Sequence, residues 1–287
     1  MVRRGLVGSR QQAERLVEAG RVLVDGAVAA KCARLVGPGQ AVAVTGQPAR
    51  FVSRGGDKLD HALDRLGIAV AGRTCLDVGA STGGFTDCLL QREAARVVAV
   101  DAGHGQLHPR LRADERVVVL ERTNARSLLQ AHPELAGSAD LVVADVSFIS
   151  LTVLVGVLAS CGRGPGSEVL VMVKPQFEAG RAEVSRGAGV VRDPLVRLQA
   201  VERVAAAMLA CGLDVTGAVA SPVLGPAGNA EIFVHGVVAD GGGGCTGGPS
   251  VAARLAELRP ALRAAVEEAP GTARNAAAAP GAAVRGC

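Results

Sequence analysis

Between residues 58 and 238, short apolar runs alternate with polar stretches of helical character. The apolar runs predict seven strands, at residues 74–78, 97–100, 117–120, 141–144, 168–173, 215–221 and 232–236. Helices are predicted between them, most clearly over residues 194–210. Strands that alternate with helices are typical of a doubly wound sheet. The pattern therefore predicts an α/β domain over residues 58–238.

Residues 1–46 follow a different pattern, which predicts a small α+β module. It predicts a helix and three short strands, at residues 10–19, 21–24, 27–28 and 41–44. Ser9 is placed to cap the helix, which stops at Gly20. Asp25-Gly26 lies between alternating apolar residues, which is a strong hairpin signal.

Two further segments complete the predicted organisation. Residues 47–57 are expected to form a linker between the module and the α/β domain. Residues 239–287 are rich in Gly, Ala and Pro, which predicts a disordered tail without catalytic residues. Within this tail, a helical segment interrupted at Pro260 is expected over residues 251–269.

The charge is unevenly distributed along the chain. The net charge is +4, whereas residues 1–60 alone carry ten Lys and Arg against five Asp and Glu. A basic module ahead of a nearly neutral domain indicates a polyanionic partner, most simply nucleic acid. The alternative is a solvated basic surface, and charge alone does not decide between them.

Other features of the composition exclude several classes of protein. The seven cysteines are scattered and form no Cys-x-x-Cys pair, which indicates reduced thiols in the cytoplasm and no metal site. No secretory signal is visible, and the longest apolar run, residues 151–161, is too short to span a bilayer. The five phenylalanines are expected to be apolar plugs at strand ends, or alternatively to wall a cofactor or a flipped base.

A glycine-rich turn follows the strand at residues 74–78, and the next strand ends in Asp101. Such a turn lets the backbone approach a nucleoside-bearing ligand, and the acid can accept hydrogen bonds from its ribose. The turn lacks the Lys-Ser/Thr of a P-loop and the spacing of a dinucleotide-binding turn. Asp77 would repel a pyrophosphate but suits the ammonium of S-adenosylmethionine (SAM).

We therefore predict a SAM site; the alternative is a glycine-rich turn that binds no ligand. Asn124 is predicted either to contact adenine or to cap a helix. The predicted cofactor-binding residues are Asp77, Gly79, Ser81, Gly83, Gly84, Phe85, Thr86, Asp101 and Asn124.

Four charged residues mark places where α/β enzymes put catalysis. Asp145 and Lys174 follow apolar strands, Lys58 is expected just before the first helix, and Glu231 opens the last strand. One such residue is usually an ordinary surface residue. Four in one domain make a catalytic set the better interpretation.

These four residues match the Lys-Asp-Lys-Glu tetrad of the FtsJ-like ribose 2′-O-methyltransferases. The sequences around them resemble the motifs of the TlyA family in particular, at residues 52–59, 77–86, 145–150, 174–178 and 225–231. The resemblance implies a Rossmann-like methyltransferase sheet. It also implies methyl transfer from SAM to a cytidine ribose 2′-hydroxyl in ribosomal RNA of the large subunit, alone or together with the small subunit.

Within that reaction, we assign Lys174 as the base that deprotonates the hydroxyl. Asp145 is expected to hold Lys174 and to lie near the methyl group. Lys58 and Glu231 are expected to fix the hydroxyl and the surrounding network.

The N-terminal pattern resembles the RNA-binding module named after ribosomal protein S-four. Leu6-Val7, Arg10 and Ala13, followed by Val22-x-Val24 and the Asp-Gly turn, carry this resemblance. The family usually has a further helical turn, so a start upstream of Met1 stays open. The predicted RNA-binding residues are Arg3, Arg4, Arg10, Arg15, Arg50 and Arg54.

Three other functions compete with this interpretation. The chain could be a non-catalytic RNA-binding factor in ribosome assembly, although an intact tetrad argues against that. It could methylate tRNA instead of ribosomal RNA, which the residues alone do not exclude. Some family members carry a haemolysin name, but the sequence has no apolar span that supports membrane insertion.

Overall fold

The computed structural model describes residues 1–7, 10–46, 49–180, 187–239 and 250–272. The chain divides into two compact units, Met1–Val52 and Ser53–Cys287. The division falls inside the segment that the sequence predicts as a linker.

The N-terminal unit has a three-stranded antiparallel sheet in the order β2-β1-β3. Its elements are a 3₁₀ turn at Val2–Arg4, α1 (Arg10–Glu18), β1 (Val22–Val24), β2 (Ala27–Val28) and β3 (Val42–Val44). The hairpin turn has positive φ at both Asp25 and Gly26, as a tight two-residue turn requires. These elements confirm the predicted module, and Ser9, the predicted cap, lies outside the described residues.

The second unit is built on a seven-stranded sheet in the order β6-β5-β4-β7-β8-β10-β9 in the described part of the chain. Its strands are β4 (Thr74–Val78), β5 (Arg96–Val100), β6 (Val117–Leu120), β7 (Leu141–Ala144), β8 (Glu168–Val173), β9 (Leu213–Ala220) and β10 (Ile232–Val238). All seven predicted strands are confirmed, with bounds that shift by at most two residues. The α/β fold class is confirmed with them.

The helices that cover this sheet come from the intervening segments. They are α2 (Arg54–Leu66), α3 (Gly84–Gln91), α4 (Pro109–Arg112), α5 (Leu128–Ala131), α6 (Val155–Cys161), α7 (Pro175–Glu178), α8 (Pro194–Ala210) and α9 (Val251–Glu268). Short 3₁₀ turns occur at Ala125–Ser127, Pro133–Leu135 and Leu151–Val153. The longest predicted helix, over residues 194–210, is confirmed.

Strand β10 is antiparallel to the other strands of the sheet, and its direction places Glu231 near Lys174. Strands β6, β5, β4, β7 and β8 are parallel, so their carboxyl ends share one edge of the sheet. Strand β10 is antiparallel to β8, with Ile232 opposite Val173. The residue that enters β10, Glu231, therefore lies at the same edge as Lys174, which leaves β8.

The first helix of this unit begins earlier than the sequence predicts. Ser53 caps α2 by accepting a hydrogen bond from Gly55 N at 3.3 Å. The segment 54–57, predicted as linker, is the first turn of α2, and Lys58 lies within the helix instead of ahead of it. Two adjacent glycines suggest a break in a helix, but here the packing of α2 overrides that local preference.

The helical segment predicted over residues 251–269 is confirmed as α9, whereas its interruption at Pro260 and the disordered tail around it are wrong for residues 250–272. Helix α9 passes through Pro260 without interruption, and Leu262, Ala265 and Val266 are buried in the core of the sheet domain. These three side chains repeat at the spacing of one helix face. Burying that face against α8 and β9 offsets the hydrogen bond that Pro260 cannot donate.

A buried arginine fastens the end of this segment. Arg197 on α8 donates hydrogen bonds to Val191 O at 2.9 Å and to Thr272 Oγ1 at 3.1 Å. The Thr272 hydroxyl in turn donates to Ala269 O at 2.8 Å. Burial lowers the pKa of Arg197, since a desolvated guanidinium loses hydration.

Truncating the buried side chain of Leu262 tests whether α9 belongs to the folded core. The Leu262→Ala substitution should lower the free energy of unfolding by about 2–4 kcal/mol, because it leaves a cavity at a fully buried position. Urea unfolding followed by circular dichroism measures the difference.

The matched control is Leu195→Ala on α8, whose side chain is 63% exposed. It should cost less than about 0.5 kcal/mol. Equal and small effects of both substitutions would show that α9 contributes nothing to the core.

Candidate active site

A cleft of about 660 Å³ opens at the carboxyl ends of the parallel strands. It is lined by residues that follow β4, β5, β6 and β7, among them Gly79, Ser81, Asp101, Asn124 and Asp145. Ligands of open α/β sheets bind at this edge, because the loops that leave the strands surround it. Five of the predicted site residues therefore share one cleft.

The turn after β4 requires glycine at its first position. Gly79 has φ +90°, and a Cβ atom there would lie 2.5 Å from the carbonyl oxygen of Asp145. The amides of Gly79 and Ala80 both donate hydrogen bonds to Val100 O, at 2.8 and 3.1 Å. The turn is thus held against both neighbouring strands, with room for no side chain.

The glycines that begin α3 have a different role. A Cβ atom on Gly84 would overlap Ser53 Oγ and lie 2.9 Å from Gly56 N, so α2 and α3 approach closely there. Phe85 is buried and stacks on Phe233, with ring centroids 6.0 Å apart. Gly83, Gly84 and Phe85, which the sequence predicts as cofactor contacts, support the turn from below and are not among the residues that line the cleft.

Asp77 is a fully buried carboxyl group at the end of β4. Its Oδ2 accepts a hydrogen bond from Thr86 Oγ1 at 2.6 Å, whereas its Oδ1 has no hydrogen-bond partner among the described residues. Burial raises the pKa of Asp77 to about 7, and the hydrogen bond from Thr86 opposes this rise. One acceptor atom is therefore left unsatisfied beside the turn.

Asp101 and Asn124 organise the loops on the other side of the cleft. Asp101 accepts hydrogen bonds from Ser81 N at 2.8 Å and from Gly103 N at 2.6 Å. Asn124 Oδ1 accepts one from Arg126 N at 2.9 Å and so caps a 3₁₀ turn. The capping prediction for Asn124 is confirmed, and the residue also lines the cleft.

The four predicted catalytic residues form two ion pairs. Lys58 Nζ lies 2.5 Å from Glu231 Oε2, and both residues are buried. Lys174 Nζ lies 2.6 Å from Asp145 Oδ1 and donates a hydrogen bond to Ser147 Oγ at 2.8 Å. The expectation that Asp145 holds Lys174 agrees with this geometry.

The segment before β10 encloses the carboxylate of Glu231. A Cβ atom on Gly225 would lie 2.5 Å from Glu231 Oε1, and Gly225 N donates to Asn229 O at 2.8 Å. Asn229 is buried and bonds the backbone of Gly189 and Val191, each at 2.9 Å. Asn229 thus ties this loop to the segment that precedes α8.

Comparison with known proteins identifies the family. The sequence profile of the FtsJ-like methyltransferases matches residues 51–237, and that of the S4 domain matches residues 1–42. The chain belongs to the FtsJ-like methyltransferase family. Both resemblances inferred from the sequence are thereby confirmed.

The matches between this FtsJ-like methyltransferase and individual relatives cover most of both chains. It is 51% identical to the 16S/23S rRNA (cytidine-2′-O)-methyltransferase TlyA of Mycobacterium tuberculosis, over 82% of this chain and 86% of the relative. It is 37% identical to Hemolysin A of Brachyspira hyodysenteriae, over 82% and 96%. A solved structure of a hemolysin candidate from Streptococcus thermophilus matches with a TM-score of 0.70 at 35% identity, over 91% of each chain.

The structure of this methyltransferase also reveals site residues that the sequence interpretation missed. Phe148 is 91% exposed with φ +64°, and it lies against Phe177 with ring centroids 5.2 Å apart. The expectation that the phenylalanines are apolar plugs is wrong for Phe148, which lines the cleft. The position of Phe148 within the family motif at residues 145–150 was the signal in the sequence that pointed to the site. The exposure of its ring depends on the tertiary structure and could not be read from that motif.

A buried glutamate joins the two loops that carry the Lys174–Asp145 pair. Glu178 accepts hydrogen bonds from Ser150 Oγ at 2.6 Å and from Leu151 N at 2.7 Å. Burial raises the pKa of Glu178, and these two hydrogen bonds oppose the rise. The segment after β7 is therefore fastened to the segment after β8.

The predicted RNA-binding arginines are found in several settings. Arg3, Arg4 and Arg10 line a depression on the N-terminal unit. Arg4 donates to Gln40 O at 2.6 Å and to Gly37 O at 2.8 Å, so part of its guanidinium fastens a loop. The guanidinium of Arg50 lies 4.6 Å from the ring centroid of Phe51.

Two of the predicted RNA-binding arginines remain, Arg15 and Arg54. Arg54 begins α2, and the Arg15 side chain lies outside the described residues.

Over the described ranges, no His, Cys, Asp and Glu side chains group as a metal site would require. No helix in that part of the chain is long and apolar enough to cross a membrane.

An alanine at position 79 tests the close approach of the turn to Asp145. Gly79→Ala should lower the free energy of unfolding by about 3 kcal/mol or more, because the added methyl group meets a backbone carbonyl that cannot rotate away. Gly67→Ala is the matched control, since Gly67 has φ +67° but open space around it. Urea titrations should show a loss of only about 1–2 kcal/mol for the control; equal losses would contradict the contact.

The raised pKa of Asp77 predicts a pH dependence of stability. The native carboxyl, with its pKa of about 7, holds its proton up to that pH, whereas the unfolded carboxyl releases it near its ordinary pKa of 3.8. The native state binds more protons between these values, so the contribution of Asp77 to stability falls as the pH rises from 4 to 7. The free energy of unfolding, measured against the Asp77→Asn variant at each pH, should show this fall, and a difference that stays flat or rises would refute it.

Proposed function

We propose that this protein transfers a methyl group from SAM to the ribose 2′-hydroxyl of a cytidine in ribosomal RNA. The observation that carries the proposal is the Lys174–Asp145 pair, held beside the cleft at the carboxyl edge of the sheet. The name of the relative with 51% identity specifies this reaction on both 16S and 23S rRNA. The basic N-terminal unit, which matches the S4 domain, supports an RNA substrate.

The residues around the cleft fit SAM better than a phosphate-bearing cofactor. The unsatisfied Oδ1 of Asp77 is suited to accept a hydrogen bond from the ammonium group of the methionine end. Asp101, at the carboxyl end of β5, keeps lone pairs for ribose hydroxyls. Ser81 and Asn124 complete the predicted contacts, with Gly79 leaving room for close approach.

The chemistry requires a group that takes the proton of the ribose hydroxyl as the new bond forms. When bound, SAM supplies the methyl group on an electrophilic sulfonium. As the 2′-oxygen bonds to the methyl carbon and the carbon–sulfur bond breaks, the hydroxyl proton passes to Lys174. The tetrad aligns the hydroxyl for in-line attack, and such alignment accounts for a large part of the rate in reactions of this kind.

Phe148 supports an acceptor site next to this pair. Its exposed ring lies three residues after Asp145, in contact with Phe177. An exposed aromatic face offers a stacking surface to an unpaired base beside the acceptor ribose. A ribosomal substrate is reached in the cytoplasm, so the proposal includes that location.

A methylation assay tests the proposal directly. The purified full-length chain is incubated with labelled SAM and, separately, with unmodified large subunits, small subunits and total tRNA. We expect label in ribosomal RNA, recovered after nuclease digestion as 2′-O-methylcytidine by mass spectrometry. Label in tRNA alone would favour the tRNA alternative, and tight RNA binding without transfer would favour a non-catalytic assembly factor.

Variants at position 174 test the assignment of the base. Lys174→Ala should lower the rate of transfer by about 100-fold or more, while calorimetry shows unchanged SAM binding. Lys174→Arg is the matched control: it keeps the positive charge but cannot lose a proton near neutral pH, so it should also be inactive. Full transfer by either variant would refute the assignment.

A further inference from the structure

A fifth residue, Ser147, contacts the tetrad through Lys174. Neither the sequence motifs nor the ion pairs single it out. Ser147 follows Asp145 by two residues, is exposed and lines the cleft. Its Oγ accepts a hydrogen bond from Lys174 Nζ at 2.8 Å. Two residues of one loop, Asp145 and Ser147, therefore hold the same amine.

The geometry of an amine makes this second contact consequential. Besides its bond to Cε, the lysine nitrogen has three directions, which carry three N–H bonds in the ammonium form. In the neutral form, two directions carry N–H bonds and the third carries the lone pair. One N–H bond is directed at Ser147, and the ion pair holds the amine against the carboxylate of Asp145. The direction that faces neither residue is the one from which the amine can accept a proton.

Asp145 alone could not define that direction. With a single acceptor, the amine would rotate about its Cε–Nζ bond, and the lone pair would point in more than one direction. A serine hydroxyl is also neutral, so it supplies the second contact without the electrostatic preference for the ammonium form that another carboxylate would add.

The loop that carries Ser147 is itself fixed to the lysine segment. Glu178, four residues after Lys174, accepts hydrogen bonds from Ser150 and from Leu151 N. The distance between Ser147 and Lys174 is thus set by the same two segments that set the ion pair. Lys58 and Glu231, at the same edge, are paired with each other.

We infer that Ser147 is a positioning residue for methyl transfer, which aims the lone pair of Lys174 at the acceptor hydroxyl. This inference rests on the proposed function, in which Lys174 is the base. Ser147 acts through Lys174, so its loss should slow the chemical step and leave the binding of both substrates unchanged.

Single-turnover methyl transfer to ribosomal RNA by the full-length chain tests the inference. Ser147→Ala should lower the rate about tenfold, with dissociation constants for SAM and RNA unchanged within about twofold. Ser147→Thr, which keeps the hydroxyl, should restore most of the rate. Val153→Ala is the matched control, because it shortens a 52% exposed side chain in the turn that follows this loop and leaves the hydrogen bonds of Ser150 and Lys174 in place. It should stay within about threefold of the unsubstituted protein.

A second variant keeps the test independent of loop disturbance. In Ser147→Asp, an additional carboxylate beside Lys174 favours the ammonium form over the neutral amine. The acid limb of the plot of kcat against pH should therefore move to higher pH. An unmoved limb would overturn the inference.

The outcomes separate the inference from the proposed function. A Ser147→Ala rate equal to that of the unsubstituted protein, with Lys174→Ala inactive, overturns the inference and leaves the function standing. Failure of Ser147→Thr to restore the rate, or an equal loss in Val153→Ala, assigns the effect to loop structure and also overturns it. Transfer by Lys174→Ala overturns the proposed base itself.

Discussion

A buried ion pair between Lys58 and Glu231 connects the first helix of the methyltransferase unit to the strand that completes its sheet. Neither charge has much contact with water, so each depends on the other, and removing one would leave an uncompensated charge at a cost of about 3–5 kcal/mol. The pair can form only because β10 is antiparallel to β8 and enters at the carboxyl edge. Lys174 leaves β8 at that edge, so the topology that satisfies Glu231 also assembles the site.

At the same edge of the sheet, glycines hold the backbone segments together, and other residues face the cleft. Gly79 lets β4 approach the carbonyl of Asp145, while Gly84 lets α2 and α3 meet beneath the turn. Both contacts are backbone contacts, which side chains would prevent. Above them, the groups that face the cleft are few and are held by short hydrogen bonds, as a preorganised site requires. Glu178 extends this arrangement by joining the loops that carry Asp145 and Lys174.

Local pattern and tertiary packing contributed differently to what could be predicted. The strands were predicted almost to the residue, because buried parallel strands are short, continuous apolar runs. The start of α2 and the continuity of the helix through Pro260 were not, because Gly55-Gly56 and Pro260 oppose a helix locally and only burial of one face reverses that preference. Phe148 was misread for a related reason: a phenylalanine in an apolar sequence suggests a core position, whereas the turn at this residue directs it into solvent.

The sequence by itself determined the fold class and the family and predicted the four residues of the tetrad, since ordered motifs and apolar periodicity are properties of the chain read in one dimension. Only the tertiary structure decided that the tetrad consists of two separate ion pairs, that Asp77 keeps an unsatisfied oxygen, and that Ser147 shares Lys174 with Asp145. These are relations between atoms that lie far apart along the chain or depend on side-chain direction. Strand order, burial and loop geometry set them, and no local pattern encodes those quantities.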